Sequence, residues 1–261
     1  MSTNTVVPLR ERFVDIAVLI VVFVGVWEVA HQWAGDVALT SPWDTIKYSI
    51  QTLFSASFWP HVWATMSSFA IAMVVAAFSG ILIGAVLGYN RLAGEVAEPI
   101  LVGVYSIPKV TLYPIILLFF GIGSAASVAF GALHGIVPIS LFTMNAVRNI
   151  KPVYLKTAKV LRLTPRQLLL SILLPASLPE VFTGLRVGFS LTLVGTLLAE
   201  MFGSRQGLGH MLMNAIGMHD MDVIMSITLL LALFAVIVNS GLLWIDRRLH
   251  RTTVKTPMGG A

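Results

Sequence analysis

From Val62 to Tyr89 the chain runs for 28 residues without an Asp, Glu, Lys or Arg. About 20 apolar residues in a helix already span the hydrocarbon core of a bilayer, and a soluble domain has no use for so long an uncharged run. The whole chain repeats the pattern. Only 11% of its 261 residues are charged, against ~25% in soluble domains, and its mean hydropathy is +0.87. Disorder is excluded, because it needs low hydrophobicity and high charge. A disulfide framework is excluded by the absence of cysteine.

Four further charge-poor regions accompany the first. Phe13–Ala30 holds only Asp15 and Glu28, Pro99–Val147 only Lys109, Gln167–Ala199 only Glu180 and Arg186, and Val223–Ile245 none. The second of these is long enough for two crossings, and Gly121-Ile122-Gly123-Ser124 in its middle suits a tight turn. The expectation is an all-α integral membrane protein with six transmembrane helices, at roughly 13–33, 62–89, 99–120, 124–147, 176–202 and 222–246. Residues 1–12 and 248–261 would form tails, 13–247 the membrane domain.

The basic residues set the orientation. With the N-terminus cytosolic, thirteen of the 17 Lys and Arg fall inside: Arg10 and Arg12, Arg91, six from Arg148 to Arg166, and Arg247, Arg248, Arg251 and Lys255. Lys47 and Arg205 fall outside. This positive-inside bias places both termini in the cytosol, and charges that flank spans form no nucleic-acid surface. The first apolar run continues into Trp27, Glu28, His31 and Trp33, so a retained span is expected rather than a cleaved signal peptide. After it, Ser41 can cap a helix with Pro42 at its first position and Asp44 completing a capping box. This predicts an external amphipathic helix to about Phe54, lying along the membrane surface.

Asn149–Pro179 is the most informative segment: NIKPVYLKTAKVLRLTPRQLLLSILLPASLP. Pro152 can start a short helix whose apolar stripe is Val153, Leu155, Ala158 and Leu161, with Lys151, Lys156, Lys159 and Arg162 pointing elsewhere. Thr164 reads as an N-cap, with Pro165 first in a second helix. Pro175 and Pro179 are expected to break or bend the helix beyond it. A basic helix pair between two spans suits a grip by a soluble partner.

Here the chain resembles the permeases of ABC importers. Their cytosolic loop carries EAA, three residues, Gly, nine residues, then I-x-L-P. Aligned on Ile172, Leu174 and Pro175, the EAA positions are Lys156, Thr157 and Ala158, and the glycine position is Arg162. Ser106-Ile107-Pro108-Lys109-Val110, Leu118 to Gly123, Leu178-Pro179-Glu180, Gly184-Leu185-Arg186, Ala199-Glu200-Met201 and Gly207-Leu208-Gly209 are similar to the nitrate/sulfonate/taurine-type branch. The resemblance extends from about Pro42 to Arg247. It departs in two places. Lys156 reverses the charge of the family's Glu, and Arg162 replaces a glycine that ends a helix in left-handed conformation, which costs about 1 kcal/mol unless the turn is reshaped.

The resemblance implies a permease subunit of the bacterial inner membrane, working as a homodimer or paired permease. Cytosolic ATP-binding subunits would dock on a coupling loop at about 149–175, through Tyr154, Leu155, Lys156, Ala158, Lys159, Leu161, Arg162, Thr164 and Pro165. An external solute-binding protein would deliver a small, anionic or sulfonate-like solute, moved by alternating access. No enzyme activity and no cofactor are expected in this chain, which has no G-x-x-x-x-G-K-[ST] phosphate loop. The alternatives are a self-contained secondary transporter or channel, or import of a pyrimidine-type vitamin precursor.

Ionisable residues at membrane depth are the candidates for the path. Lys109, after Pro108, could draw an anion, or instead snorkel or pair with Glu180. Glu200 could gate or meet the binding protein, or instead pair with Arg205. Glu180 and Arg186 read as structural and His134 as a packed, hydrogen-bonded histidine. His210, His219, Asp220 and Asp222 match no tight zinc pattern, so no metal is expected. Gly80, Gly84 and Gly88 repeat at the spacing of a close helix–helix approach.

Overall fold

The computed structural model describes the backbone at 9–36 and 38–254, and within that range the side chains at all positions but 9–13, 155, 165 and 249–254. Every described element is helical. In chain order they are α1 (Leu9–Ala34), α2 (Pro42–Phe54), α3 (Phe58–Tyr89), α4 (Arg91–Ser106), α5 (Tyr113–Phe120), α6 (Ser124–Arg148), α7 (Pro152–Val160), α8 (Pro165–Leu168), α9 (Leu174–Gly203), α10 (Leu208–Met218) and α11 (Met221–Val254). A 3-10 turn, Lys109–Leu112, precedes α5, and a π-helical turn, Leu169–Leu173, joins α8 to α9. Two compact units emerge: the chain to Phe58 with Asn214–Leu231, and Trp59–Met213 with the chain from Ala232 on.

In the first unit α1 is an apolar span with none of its membrane window buried. Its end is tied to the start of α2. The Trp27 indole N–H donates to the Thr40 carbonyl at 3.1 Å, and His31 Nδ1 lies 2.6 Å from the Leu39 carbonyl oxygen. Ser41 caps α2 as expected, accepting from the Asp44 N–H at 3.1 Å and donating to its carboxylate at 2.6 Å. This helix is inverted relative to a soluble one: it buries Pro42, Thr45 and Ser49 and exposes Trp43, Ile46, Ile50 and Phe54. Asp222, at the start of α11, accepts from the Thr40 hydroxyl at 3.1 Å. It also accepts from the Tyr48 phenol, which raises that phenol's pKa above its ordinary value.

The second unit is built around α6. In the α6 span, 61% of the membrane window is buried, against 22% or less in the other four single-helix spans. Lipid tails are as apolar as Leu, so helices there associate through close packing of small residues rather than by hydrophobic exclusion. The glycines obey that rule. A Cβ at Gly80 would sit 2.7 Å from Ile139 Cβ, at Gly84 2.5 Å from the Ser140 carbonyl oxygen, and at Gly88 2.6 Å from the Met144 carbonyl oxygen. The Gly80/Gly84/Gly88 face therefore lies directly on α6, a contact within the subunit. Gly184, Gly188 and Gly195 of α9 likewise receive Phe142, Ile139 and His134 of α6, while Gly135 of α6 receives Ala76 of α3 and Thr192 of α9.

Five helices are long and apolar enough to cross a membrane, and one bent pair passes the same test jointly, giving up to six spans. The crossing expected at 99–120 falls on this bent pair. Arg91–Ser106 and Lys109–Phe120 meet at 83°. Two of the three prolines here account for the break. Pro108 lacks an N–H and forces Ile107 into an extended conformation, with ψ 133°. Pro114 then suits the first turn of α5, while Pro99 is absorbed inside α4. Pro175 and Pro179, in contrast, do not break their helix. Helix runs from Arg166 to Gly203, because the π-helical turn just before Pro175 shifts the hydrogen-bond register where the proline has no N–H to give. The Gly121–Ser124 turn forms as expected, with φ of +71° at Gly121 and +135° at Gly123.

The glycine seam yields a direct test. Gly84→Val, whose Cβ would meet α6 backbone, is expected to destabilise the purified protein by about 1–3 kcal/mol. Gly25→Val on α1, with nothing within 4 Å of its Cβ, should leave the thermal unfolding midpoint in detergent unchanged.

Candidate functional site

The loop between α6 and α9 is anchored at its start. Arg148, the last residue of α6, donates to the Glu98 carboxylate of α4 at 2.7 Å and to the Asn145 side chain at 3.3 Å. Pro152 then opens α7. The expected apolar stripe of α7 is not buried against the bundle. Among its described residues Ala158 is buried, at 4% exposed, whereas Val153 and Leu161, with Tyr154 beside them, are 57%, 63% and 42% exposed. Lys156 and Lys159 are exposed beside them. The side chains of Leu155 and Pro165 lie outside the described residues.

Arg162 ends α7 in the left-handed region, at φ +49°. The Arg162 N–H donates to the Lys159 carbonyl at 3.1 Å and the Leu163 N–H to the Ala158 carbonyl at 3.0 Å. This is the pair of bonds that closes a helix when glycine stands at that position. The turn is thus kept and not reshaped; the arginine takes on the conformation that favours glycine because both terminal carbonyls gain donors by it. Thr164 caps α8 with a capping box: its N–H donates to the Gln167 side-chain oxygen at 2.9 Å, and the Gln167 N–H returns to the Thr164 hydroxyl at 3.4 Å. Ile172 is half-buried, and Leu174 and Pro175 are exposed; all three lie in or just after the π-helical turn.

Glu200 lies at the other end of α9, about 26 residues and so roughly 40 Å along the helix from Leu174. It is 1% exposed and organises the Gly207–Gly209 segment. Its Oε2 accepts from the Thr65 hydroxyl of α3 at 2.7 Å and from the Gly209 N–H at 3.1 Å. The Thr65 hydroxyl in turn accepts from the Leu208 N–H at 2.8 Å, and His61 Nδ1 accepts from the Gly207 N–H at 3.1 Å. Three consecutive N–H groups at the start of α10 are therefore received by three side chains, from α3 and α9. A helix N-terminus leaves those donors unsatisfied and carries partial positive charge, so a carboxylate there is stabilising. Gly207, at φ +117°, packs its Cα against the Glu200 carboxyl. Glu200 does not pair with Arg205; Thr65, which donates to it, and His61, which receives the Gly207 N–H, were not singled out in the sequence, although their i, i+4 spacing puts them on one face of α3.

Lys109 is 9% exposed, in the 3-10 turn at the break. Its ammonium donates to the Tyr105 carbonyl at 3.1 Å and lies 5.0 Å from the centre of the Tyr105 ring. Pairing with Glu180 is not observed; Lys109 turns back onto the last turn of α4, whose carbonyls lost their donors at Pro108. Arg186 Nη1 approaches Asp246 Oδ2 at 4.0 Å, and Thr183 donates to Asp246 Oδ1 at 3.1 Å, so this polar group joins α9 to α11. His134 bonds the Phe130 carbonyl at 2.9 Å and meets its ring edge-on. Three of the four candidates toward the end of the chain do different work: Asp222 holds Thr40 and Tyr48, Asp220 caps α11 through the Val223 N–H at 3.2 Å, and His210, in α10, stacks on His61.

Two consequences can be measured. Arg162→Gly relieves the left-handed strain and should stabilise the α7 turn by about 0.5–1 kcal/mol, seen as slower amide exchange at Leu163. Thr65→Val keeps shape but strips both the donor to Glu200 and the acceptor for Leu208; a loss of about 1–3 kcal/mol in thermal stability is expected, with Thr65→Ser close to wild type.

A family model described as binding-protein-dependent transport system inner membrane component matches residues 80–255. The chain is 26% identical over 246 residues to the taurine transport system permease protein TauC of Escherichia coli, covering 92% of this chain and 90% of that protein. It is 26% identical over 218 residues to the nitrate import permease protein NrtB of Synechococcus elongatus, covering 80% and 78%. In fold it is similar to a chain of the MetNI methionine ABC transporter, with a TM-score of 0.60 at 19% identity over 72% of this chain and 94% of that one. The chain thus belongs to the binding-protein-dependent transport system inner membrane components, the multi-pass, non-catalytic permease subunits of ABC importers.

Proposed function

We propose that this permease forms the path of a small anionic, sulfonate-like solute and switches between inward-facing and outward-facing states. It works as a dimer, as a homodimer or with a paired permease, and receives solute from an external binding protein. Cytosolic ATP-binding subunits dock on residues from about Tyr154 to Arg166, with both termini, including 1–12 and 248–261, on the same cytosolic side. The observation that carries this reading is α7: a short helix between two spans, with Val153, Tyr154 and Leu161 exposed and Lys156 and Lys159 beside them. An exposed apolar and basic helix end of this kind is stabilised by a partner rather than by its own bundle.

The helical continuity beyond α7 supplies a mechanical link. The run from Arg166 to Gly203 is unbroken, so displacement of the loop by the ATPase pair is carried as rigid-body motion to the Glu200 end. Switching requires contacts that differ in free energy between the two states. Lys109 at the broken span and Glu200 at the far end are the path candidates, since backbone breaks at membrane depth are tolerated where protein or water satisfies them.

The relatives TauC and NrtB, named for taurine and nitrate transport, support an anionic cargo. Lys156, where the resemblance leads one to expect Glu, supports an acidic residue on the docking face of the ATPase partner. Deletion of residues 155–162 is expected to abolish co-purification of the ATP-binding subunit while the membrane domain still folds; its retention would refute the docking site. Lys156→Glu should reduce transport-coupled ATP hydrolysis by about tenfold, the scale of one charge-assisted contact, measured in proteoliposomes with the binding protein present.

A further inference from the structure

Arg148 stands where the coupling loop leaves the bundle. It is the last residue of α6, and α7 begins four residues later at Pro152. Its guanidinium donates to the Glu98 carboxylate of α4 at 2.7 Å and to the Asn145 side chain at 3.3 Å. Along α4 the buried residue is Gly94, while Leu92, Val96 and Ile100 are exposed. That glycine is placed for the arginine: a Cβ there would stand 3.4 Å from Arg148 Cδ and 3.2 Å from the Leu87 carbonyl oxygen. Gly94 and Glu98 are four residues apart and so share a helix face. The glycine seats the arginine's stem, and the carboxylate takes its head.

This pair differs from its neighbour. The Arg148 and Glu98 side chains are 20% and 39% exposed, against 87% and 51% for Arg91 and Glu95, whose pair stays within α4. A charge-assisted bond partly withdrawn from water is stronger and less screened than an exposed one. The two side chains also form part of the wall of a cleft of about 650 Å³, whose lining includes Tyr89, Glu95, Asn149 and Pro152. Beside that open space, α4 and the base of α7 are held by the ion pair and its glycine seat rather than by interlocked side chains.

There is little slack on the loop side. Residues 149–151 reach at most about 11 Å. The Asn149 N–H still bonds the Asn145 carbonyl at 2.9 Å, Ile150 is buried, and Pro152 confines Lys151 to an extended ψ of 127°. On the other side, Pro99 removes an N–H from α4 at the turn that the pair holds. The helix then ends at Ser106, about 12 Å on, at the 83° bend before Lys109. We infer that the Arg148–Glu98 pair is a joint that passes displacement of the α7 loop through α4 to this bend, which makes both residues positioning residues for transport. The joint deepens the proposed permease reading and rests on it, and it supplies a second route beside the Arg166–Gly203 run. An arginine offers five N–H donors, so the carboxylate stays bound while the helices pivot about it.

The chain contains no cysteine, so a single introduced thiol reports on one place. Ile107→Cys and Val110→Cys, at exposed positions on either side of Pro108, are labelled with a charged maleimide in the full-length permease purified with its ATP-binding subunits. Between the nucleotide-free complex and one saturated with a non-hydrolysable ATP analogue, the labelling rate of at least one reporter is expected to change by about fivefold or more. Glu98→Gln should cut that change to less than about twofold, with co-purification kept and the thermal unfolding midpoint within about 2–4 °C of the unsubstituted chain. Arg148→Glu should do the same, and Arg148→Glu combined with Glu98→Arg should restore the response, a recovery that loss of bulk packing would not show. Arg91→Gln, which breaks the exposed pair on the same cleft, should leave it unchanged. A flat response at both reporters with the pair intact, a response that survives Glu98→Gln, an equal loss with Arg91→Gln, or a charge-swapped pair that fails to restore it would each overturn the joint. Co-purification keeps the two ideas apart: with it intact these outcomes remove only the joint, and its loss from the unsubstituted chain removes the docking reading and the joint together.

Discussion

Close approach of α3, α6 and α9 through glycine is the constraint on which the second unit depends. In lipid there is no hydrophobic penalty for separating apolar helices, so cohesion comes from short interhelical distances and the dispersion contacts they allow. Gly80, Gly84 and Gly88 let α3 lie against the α6 backbone, and Gly184, Gly188 and Gly195 do the same for α9. Among the buried polar side chains of this seam, Thr143 and Thr192 fill space opposite glycines, His134 sits opposite Gly195, and Thr196 returns its hydroxyl to its own helix at Thr192. A seam of this kind fixes which helices neighbour one another, because larger α6 side chains such as Ile139 and Phe142 lie opposite glycines of the neighbouring helices.

The two ends of α9 depend on that seam. At one end the π-helical turn reconciles Pro175 with an unbroken helix and joins it to the α7–α8 loop. At the other, Glu200 gathers the Gly207–Gly209 N–H groups with Thr65 and His61. Burial of a carboxylate is costly unless it is hydrogen-bonded, and the helix start it faces is the kind of partner that offsets the cost. One continuous helical run therefore links the proposed ATPase contact to the Glu200 cluster.

Much of this was legible in the residues. The apolar runs and the Gly121–Ser124 turn placed the spans, and Ser41-Pro42 and Thr164-Pro165 marked helix starts that the structure keeps. The left-handed turn at Arg162 was a reading with two outcomes, and the backbone kept the conformation because it satisfies the last carbonyls of α7. The third span is a bent pair rather than a single helix. Its apolar content is that of a crossing, but hydropathy is blind to direction, and the 83° bend arises from the local backbone limits at Ile107 and Pro108. Prolines alone do not decide such cases, since Pro175 and Pro179 sit within continuous helix.

Sequence by itself determined that this chain is a helical membrane protein, how many apolar stretches it offers and which loop stands out for a partner, because those properties depend on local composition and periodicity. Only the tertiary structure decided that the α3 glycines face α6 within the subunit, that Lys109 turns back onto Tyr105, and that Glu200 meets Thr65 and the Gly207–Gly209 turn rather than Arg205. Those outcomes depend on which residues distant in the chain arrive together, and a carboxylate's partners are set by the donors that the folded backbone presents to it.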